Sequence, residues 1–247
     1  MIDRGALFRA YWKLEQRIVP GLASSQSQYE ETLDRYVTPT TRWLDLGCGR
    51  RVLPEWRREA ERTLLTRAAQ VVGVDLDLES LRDNTSLNLM CLSPVDELPF
   101  ADACFSLVTA NMVMEHVGEP EAMLRELHRV LVPGGHLIFH TPNSRAFPTN
   151  LARLLPDAVK RRMAKALDGR ASEDVFPTHY RANHTAEIRR HASAAGFEVV
   201  ELQLVSTSAT FALVLPLAVV ELLWIRTLRA PDRAERRSNI IAVLRRA

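Results

Sequence analysis

The chain has 247 residues, which is enough for one large α/β domain with a modest addition. Hydrophobic residues make up 47% and charged residues 25%, a balance that argues against a disordered or fibrous chain. The formal net charge of +2 is too small to indicate a nucleic-acid-binding protein.

The three cysteines, at positions 48, 91 and 104, show neither a paired spacing nor a Cys-x-x-Cys motif. An odd number without a metal-binding pattern predicts free thiols in a reducing compartment. The N-terminal residues carry charges and contain no apolar run of signal-peptide length. These features together favour a cytoplasmic protein.

The first 40 residues have a helical pattern. Tyr11, Leu14 and Ile18 recur at helical spacing, a Pro-Gly pair at 20–21 ends that helix, and a second helix is predicted over residues 29–36. From residue 41 onward, short apolar runs alternate with helical patterns, which is typical of a parallel sheet with crossover helices. The predicted strands are 43–46, 71–74, 87–92, 105–110, 137–140 and 197–205. The predicted helices among them are 54–69, 121–131 and 185–195, the last with Thr185 as its N-cap.

An amphipathic stretch over residues 151–174 is inserted after the fifth strand, with lysines and arginines spaced among leucines. Insertions at the carboxyl ends of parallel strands lie beside the ligand crevice, so we predict a lid or substrate cap, with a plain surface helix as the alternative. The predicted organisation is an N-terminal helical segment (1–40), a core (41–145), a lid insertion (146–178), completion of the core with an apolar C-terminal segment (179–230) and a basic tail (231–247).

The segment 211–225 is strongly apolar, and three interpretations of it are open. A buried strand followed by an apolar helix is favoured, because β-branched and hydroxylated residues precede the helix. A membrane-spanning helix is disfavoured by the interruptions at Pro216 and Glu221. The third interpretation is a helix that contacts a membrane surface or a hydrophobic substrate. The seven arginines from position 226 onward predict a solvated helix face, with an anionic membrane surface or a polar partner as the alternative.

The first strand ends in LDLGCGR over residues 44–50. Gly47 and Gly49 suit a turn with positive φ or a ligand lying against the backbone. A dinucleotide-binding loop has a third glycine, where this chain has Val52. A cofactor without phosphates needs no third glycine, and Asp45 suits an ammonium group. The loop therefore favours S-adenosyl-L-methionine over a dinucleotide.

The second strand, VVGVDLD, ends with Asp75. An acidic side chain at this strand end can accept hydrogen bonds from both ribose hydroxyls. A helix cap is the alternative role. Because VVGVDLD follows the glycine loop LDLGCGR, the ribose-binding role of Asp75 is favoured over the helix cap.

LDLGCGR, VVGVDLD, DELPFADACFSLVTAN and HRVLVPGGHLIFHTPN resemble the ordered motifs of class I S-adenosylmethionine-dependent methyltransferases of the small-molecule type (methyltransferase type 11/12-like), such as those of ubiquinone biosynthesis. The resemblance covers residues 40–143, with a weaker continuation to about 205. It implies an α/β fold that is Rossmann-like and doubly wound, with a mostly parallel seven-stranded sheet, helices on both faces and a helical lid insertion. The motifs are specific for fold and cofactor and do not identify the acceptor.

The resemblance also implies a cofactor role for six residues. Gly47 and Gly49 would let the cofactor lie against the loop. The other four residues would contact different parts of the cofactor: Asp45 near the methionine ammonium, Asp75 on the ribose, Leu76 on one adenine face and Asn111 at the methyl end.

The chain departs from the family pattern at two places. Pro94 stands where an acidic residue usually bonds the adenine amino group, so the backbone of Val95 or the side chain of Asp96 would serve instead. Ubiquinone-type enzymes carry a Glu three residues before a Glu-His pair. Here Met112 stands before Glu115-His116, so no metal site is predicted.

Methyl transfer from a sulfonium is an in-line displacement, in which the enzyme holds the acceptor behind the methyl group. An oxygen acceptor often needs a base, and histidine has a suitable pKa. His179, His116 and His140 are the candidates, with His179 favoured and with Tyr180 and Arg181 as substrate contacts. For each histidine, a packing or capping hydrogen bond is the alternative role.

The predicted function is methyl transfer to an oxygen, or to a nitrogen or carbon, of a small-molecule, lipid or glycan-type acceptor. The alternatives are a non-catalytic S-adenosylmethionine-binding module, supported by Pro94, and a nucleotide-dependent oxidoreductase, weakened by Val52. No nucleic-acid partner is expected, since the fourth strand lacks the ending typical of base methylators. Segment 211–237 is a candidate for peripheral contact with the inner face of a membrane, and the oligomeric state stays open.

Overall fold

The computed structural model describes residues 4–147, 150, 177–212 and 214–247. Most of the predicted lid, 146–178, lies outside the described residues. The described α-helices, numbered in chain order, are α1 (Arg4–Ile18), α2 (Ser25–Tyr36), α3 (Arg58–Arg67), α4 (Leu78–Arg82), α5 (Pro120–Val130), α6 (Thr185–Ala194) and α7 (Leu215–Thr227). The described strands are β1 (Arg42–Leu46), β2 (Gln70–Asp75), β3 (Met90–Leu92), β4 (Phe105–Asn111), β5 (Leu131–Pro142), β6 (Phe197–Val205) and β7 (Asn239–Arg246).

The seven strands form one sheet in the order β3-β2-β1-β4-β5-β7-β6. Strands β1 to β5 pair in parallel, with β1 between β2 and β4. The chain thus runs outward from β1 to β3 and then returns beside β1 as β4. This reversal makes a crevice at the carboxyl ends of β1 and β4, where open parallel sheets bind their ligands. The Rossmann-like, doubly wound fold predicted above is confirmed.

Strand β7 runs antiparallel to its neighbours. At one end its Arg245 pairs with Glu198 near the start of β6, and Arg246 donates to the carbonyl of Leu131 at the start of β5. Beyond its other end, the backbone carbonyl of Ser238 accepts from the N–H of Asn143, just after β5. The sheet is therefore mostly rather than wholly parallel.

The local sequence explains the central elements. Strand β1 is buried from Trp43 to Leu46, as expected for a strand covered on both faces of a parallel sheet. Helix α5 buries one stripe of side chains and begins with Pro120 in its first turn, where a missing N–H does no harm. The buried stripe, spaced at helical period, comprises Met123, Leu124, Leu127 and Val130.

The chain divides into two compact units. One contains residues 1–28, 142–177 and 204–240, and the other contains residues 29–141, 178–203 and 241–247. The first unit has its own core, in which α1 and α7 pack together through Tyr11, Val19, Ala209, Ala218, Leu222 and Ile225. The predicted domain boundaries at 40, 145, 178 and 230 stay predictions.

The prediction of a solvated helix face for the arginine-rich C-terminus is wrong over residues 239–246, which form β7. The first six residues of this strand are buried, because Asn239–Leu244 is an apolar run apart from its first residue. Arg237, just before the strand, donates to the backbone carbonyls of Leu204 and Leu228, both at 3.0 Å. Several of the arginines therefore hold the backbone together.

Several element boundaries also differ from prediction: β5 is Leu131–Pro142 rather than 137–140, and α3 is Arg58–Arg67 rather than 54–69. Strand β3 begins at Met90 rather than at 87, because the side-chain oxygen of Asn84 accepts the backbone N–H groups of Ser86 and Leu87 and makes a turn there. His184, and not Thr185, is the N-cap of α6. Strand β6 has its predicted bounds, 197–205, but the largely hydroxylated residues 206–210, expected to form a strand before the apolar helix, lie outside the sheet.

The apolar helix predicted within 211–225 is α7, which has 13 residues. None of the helices in the described part of the chain combines the length and the apolar character needed to cross a bilayer.

Candidate cofactor and active site

The loop after β1 needs both of its glycines. Gly47 has φ +65° and Gly49 has φ +46°, in the left-handed region that other residues rarely adopt. A Cβ atom on Gly47 would lie 2.5 Å from Cγ2 of Val113, which follows β4. Glycine at position 47 therefore lets these two loops approach closely without displacing the Val113 side chain.

Asp75 joins the end of β2 to this loop. Its Oδ2 accepts the backbone N–H of Gly49 at 2.7 Å, and its Oδ1 accepts the N–H of Asp77 at 2.8 Å. The side-chain amide of Asn84 donates to the carbonyl of Gly49 at 2.8 Å. The carboxylate of Asp75 remains half-buried, so it is also accessible to a ligand at the sheet edge.

Asp45 lies inside β1 and is only 3% exposed. Its Oδ1 accepts the hydroxyl of Thr109, on the neighbouring strand β4, at 2.5 Å. Burial, together with the negative charges of Asp75 and Glu61, raises the pKa of Asp45 to about 8. Burial and the acidic neighbours thus destabilise the charged form of Asp45, and a cation placed beside this carboxyl would stabilise that form.

A second set of buried side chains lies at the ends of β4 and β5. His140 is 1% exposed, and its ring stacks on Tyr29 with centroids 5.6 Å apart. Nδ1 of His140 lies 3.0 Å from Oδ1 of Asn111, so Nδ1–H donates and Nε2 is the unprotonated nitrogen. Burial lowers the pKa of His140 to about 4, which makes its imidazole neutral at neutral pH.

The segment predicted to face adenine follows β3. The N–H of Ser93 donates to the carbonyl of Asp75 at 3.2 Å, which ties this segment to the ribose side of the site. Val95 is half-buried and Asp96 is exposed, while Leu76 is 60% exposed at the end of β2. An exposed leucine at a strand end offers an apolar surface to a ligand.

Arg129 fixes the same segment from α5, a role that sequence analysis missed. Its guanidinium donates to the carbonyls of Phe100 at 2.7 Å and Leu98 at 3.1 Å. Glu126 accepts from Arg129 at 2.6 Å and from the N–H of Leu98 at 2.8 Å, and the Arg129 contact lowers the pKa of Glu126. The spacing of Glu126 and Arg129, three residues apart on a helix, was the available signal.

Met112 was considered above only as a lost metal ligand. In the structure it has φ +58°, and its N–H donates to the carbonyl of His140 at 2.8 Å. A non-glycine residue in this conformation is strained, and such strain concentrates at functional sites. The strained backbone of Met112 is consistent with the interpretation of the carboxyl end of β4 as part of the site.

The chain returns to this edge of the sheet at residues 179–181. The N–H groups of His179 and Tyr180 donate to the carbonyl of Glu115 at 2.7 and 3.2 Å. Arg181 donates to the carbonyl of Gly118 at 2.7 Å and to the carboxylate of Glu119 at 2.8 Å. The structure thus brings together the substrate-contact candidates and the turn that contains His116.

A buried network holds the return segment in place. Asn183 donates to the hydroxyl of Thr141 at 2.6 Å, and that hydroxyl donates to the carboxyl of Glu115 at 3.1 Å. All three side chains are buried, and burial raises the pKa of Glu115. The network links β5, the turn after β4 and the return segment, and none of its members was predicted as a site residue.

The three candidate histidines therefore occupy different environments. His179 is exposed beside the 115–118 turn, with its ring near Gly118. His116 lies within that turn, and His140 is buried on β5, paired in register with Asn111 on β4. The predicted cofactor residues Asp45, Gly47, Gly49 and Asp75 lie together at the ends of β1 and β2.

Comparison with known proteins agrees with this geometry. The family model described as a methyltransferase domain matches residues 16–202. The chain therefore belongs to the methyltransferase-domain family, the resemblance to class I S-adenosylmethionine-dependent methyltransferases is confirmed, and the cofactor is S-adenosyl-L-methionine.

The curated relatives are similar over part of their length. The ubiquinone biosynthesis O-methyltransferase of Chromobacterium violaceum is 32% identical over 111 residues, which are 42% of this chain and 45% of the relative. The malonyl-[acyl-carrier protein] O-methyltransferase of Pseudescherichia vulneris is 32% identical over 108 residues, 42% of this chain and 40% of the relative. The matched part thus spans less than half of each relative.

Among solved structures, an S-adenosylmethionine-dependent methyltransferase from Mesorhizobium loti is similar with a TM-score of 0.58 at 18% identity. The match covers 91% of this chain and 99% of that chain. At this identity the likeness establishes the fold alone.

Proposed function

We propose that the chain transfers the methyl group of S-adenosyl-L-methionine to a small-molecule or amphiphilic acceptor. Oxygen is the favoured acceptor atom, ahead of nitrogen and carbon, because the curated relatives are O-methyltransferases. The observation that carries the proposal is the glycine loop after β1, bonded to Asp75 and lying beside the buried Asp45.

The residues at the strand ends suit a nucleoside that carries an ammonium group. Asp75 would hold the ribose, Leu76 and Val95 or Asp96 would contact the adenine, and Asp45 would stabilise the ammonium. Asn111 would line the methyl end, with its side chain oriented by His140. The glycines at 47 and 49 leave room for the cofactor against the backbone.

The bound cofactor supplies an electrophilic methyl group on a sulfonium. The task of the chain is to hold the acceptor atom in line behind that methyl group and to exclude water. The return segment is suited to this task because its backbone N–H groups are bonded to the carbonyl of Glu115. Asn183, which follows it, is held in the buried network by its hydrogen bond to Thr141. Tyr180 and Arg181 are the proposed substrate contacts.

We propose His179 as the general base for an oxygen acceptor. It is exposed at the site edge, and its backbone N–H is held by Glu115. His116, in the same turn, is the next candidate. His140 suits this role least, because its burial and its pKa of about 4 make it a weak base without access to the acceptor.

A labelled-methyl transfer assay against lipid, glycan-precursor and metabolite pools tests the activity. The variant His179→Asn is expected to lower kcat about 100-fold. His184→Asn is the matched control, because His184 pairs with Glu187 at the start of α6. A His179→Asn enzyme with unchanged kcat would exclude the base assignment.

Cofactor binding without transfer to any acceptor would instead support the non-catalytic alternative, which rests on Pro94. Cytoplasmic location with peripheral contact through residues 211–237 is also part of the proposal. Its support is the exposed apolar surface of α7, where Leu217 and Leu223 are each 49% exposed.

A further inference from the structure

Helix α7 is apolar on both its inner and outer faces. Its inner residues Ala218 and Leu222 are fully buried against α1, as in an ordinary surface helix. Its outer face carries Leu217, Val220 and Leu223, which are 49%, 66% and 49% exposed. A surface helix normally has polar residues on that side, so this outer face indicates an interaction site.

An apolar depression of about 530 Å³ lies along the same side of α7. Leu217, Val220 and Trp224 contribute to it from the helix, and Phe147 and Phe211 contribute from neighbouring segments of the first unit. Phe147 is itself 56% exposed. The depression extends the apolar surface beyond a single row of side chains.

Helix α1, which packs on α7, presents aromatic residues to the outside. Phe8 is 37% exposed and Trp12 is 57% exposed, with ring centroids 6.1 Å apart. Tyr11, next to Trp12 in the chain, is buried in the shared core. Exposed tryptophan and phenylalanine on a helix are typical of residues that enter the interfacial region of a bilayer.

The charges on the two helices have one sign on the outside. Each helix contains a single acidic residue, and both are buried. Glu15 of α1 accepts the hydroxyl of Tyr11 at 2.5 Å, and Glu221 of α7 accepts the N–H of Phe211 at 3.0 Å. The exposed charged residues include Lys13, Arg17 and Arg226.

We propose that α1 and α7 form a docking surface for a bilayer that contains anionic phospholipids. This α1–α7 surface consists of the exposed apolar residues Phe8, Trp12, Leu217, Val220 and Leu223 with the basic residues Lys13, Arg17 and Arg226. The apolar side chains enter the acyl boundary while the basic ones contact the headgroups.

The charge of the α1–α7 surface selects the bilayer over a second copy of the chain. A two-fold dimer places the same patch on both subunits, so the basic residues of one copy would face those of the other. A zwitterionic bilayer would leave the positive charges without a counterpart. An anionic bilayer satisfies both the apolar and the basic parts of the surface.

Flotation of the full chain with vesicles tests the proposal. Vesicles of phosphatidylcholine with phosphatidylglycerol are expected to bind the protein, and vesicles of phosphatidylcholine alone are expected to bind it far less. Each of Lys13→Gln and Arg17→Gln is expected to weaken partitioning about fivefold, and high salt is expected to weaken it further.

The apolar part has a matched control in the second unit. Val220→Asn is expected to reduce partitioning severalfold, whereas Val200→Asn, at a valine that is 46% exposed on β6, leaves it unchanged. Arg62→Gln, on the exposed face of α3, is the corresponding control for charge. A blue shift of tryptophan fluorescence with vesicles, absent in Trp12→Phe, would place Trp12 at the bilayer.

Equal binding to neutral and anionic vesicles, no binding, or equal losses in the control variants would overturn the proposal. A dimer in solution that Val220→Asn dissociates, or binding only to a protein partner, would assign the surface to those occupants instead. Affinity for S-adenosyl-L-methionine is expected to be unchanged in these variants. Failure of docking is therefore distinguishable from failure of the proposed methyl transfer.

Discussion

Binding of S-adenosyl-L-methionine is expected to release a proton from Asp45. This carboxyl is 3% exposed, and the charged groups that shift its pKa, Asp75 and Glu61, are both acidic. Tyr29, whose own pKa is raised by burial and by Asp45, adds no positive charge. With a pKa of about 8, the carboxyl is mostly neutral at neutral pH in the free protein.

The size of the effect follows from that pKa. At pH 7, roughly nine in ten molecules hold the proton, so a cofactor ammonium that ionises Asp45 releases up to about 0.9 proton. The contribution of Asp45 to the affinity is then expected to fall about tenfold for each pH unit below 8 and to level off above it.

Isothermal titration calorimetry at pH 7 in buffers of different ionisation enthalpy measures the released proton directly. Asp45→Asn is the control, because the amino group of the cofactor also titrates in this range and its contribution remains in the variant. Equal proton release by the wild type and Asp45→Asn would refute the placement of the ammonium at Asp45.

The same pKa predicts how the stability of the free protein depends on pH. Between about pH 4 and pH 8 the folded state keeps a proton that the unfolded state has lost, so stability falls as the pH rises. The slope from Asp45 is at most about 1.4 kcal/mol per pH unit, and above pH 8 this contribution is constant. Chemical denaturation of the wild type and Asp45→Asn should show a difference of this sign.

Gly47→Ala is expected to weaken cofactor binding more than tenfold, because it adds left-handed strain of about 1–2 kcal/mol and a close contact with the Val113 side chain. When Val113→Ala is added to this variant, calorimetry should show that part of the affinity is restored. Asp75→Asn is expected to weaken cofactor binding roughly 10- to 100-fold through loss of charged hydrogen bonds. Asp77→Asn keeps its helix cap, so its cofactor affinity should stay within about threefold of the wild type. Equal losses of affinity in the two variants would contradict the ribose assignment. Thr141→Val is expected to lower kcat about tenfold at unchanged cofactor affinity, since it breaks the buried network beneath the return segment. An unchanged kcat in steady-state assays would show that the network does not position that segment.

The parts of the fold that sequence analysis predicted correctly are those with a local cause. Strands β1 and β4 are short, mostly buried segments rich in apolar residues. The LDLGCGR loop combines a strand end with two glycines, the residue type that adopts positive φ most readily. Helix α5 has a proline at its start and one apolar stripe. In each case the information lies within a few neighbouring residues.

Strand β7 shows what the local pattern could not reveal. The arginines before and after its apolar run made the C-terminus resemble a solvated segment. In the structure, Arg237 and Arg246 donate to backbone carbonyls of other segments. Whether an arginine is solvated or holds distant backbone depends on contacts across the sheet, and these were not visible in the sequence.

The network beneath the return segment was missed for a related reason. Glu115, Thr141 and Asn183 come from three separate segments, 26 and 42 residues apart. Each residue type is ordinary at its own position. Only the register of β4 and β5 and the backbone bonds at Glu115 bring them together.

Asp45 and Glu115 are two buried carboxyls with similar surroundings and different consequences. Each accepts the hydroxyl of a threonine, Thr109 for the first and the threonine of β5 for the second. A single hydroxyl does not satisfy a carboxylate, which has two oxygens and several lone pairs. Glu115 is also favoured in its charged form by a backbone N–H and by His116. Asp45 faces acidic neighbours instead, so its charged form requires a cation from outside the protein, which is the role that the ammonium group of the cofactor fulfils in our proposal.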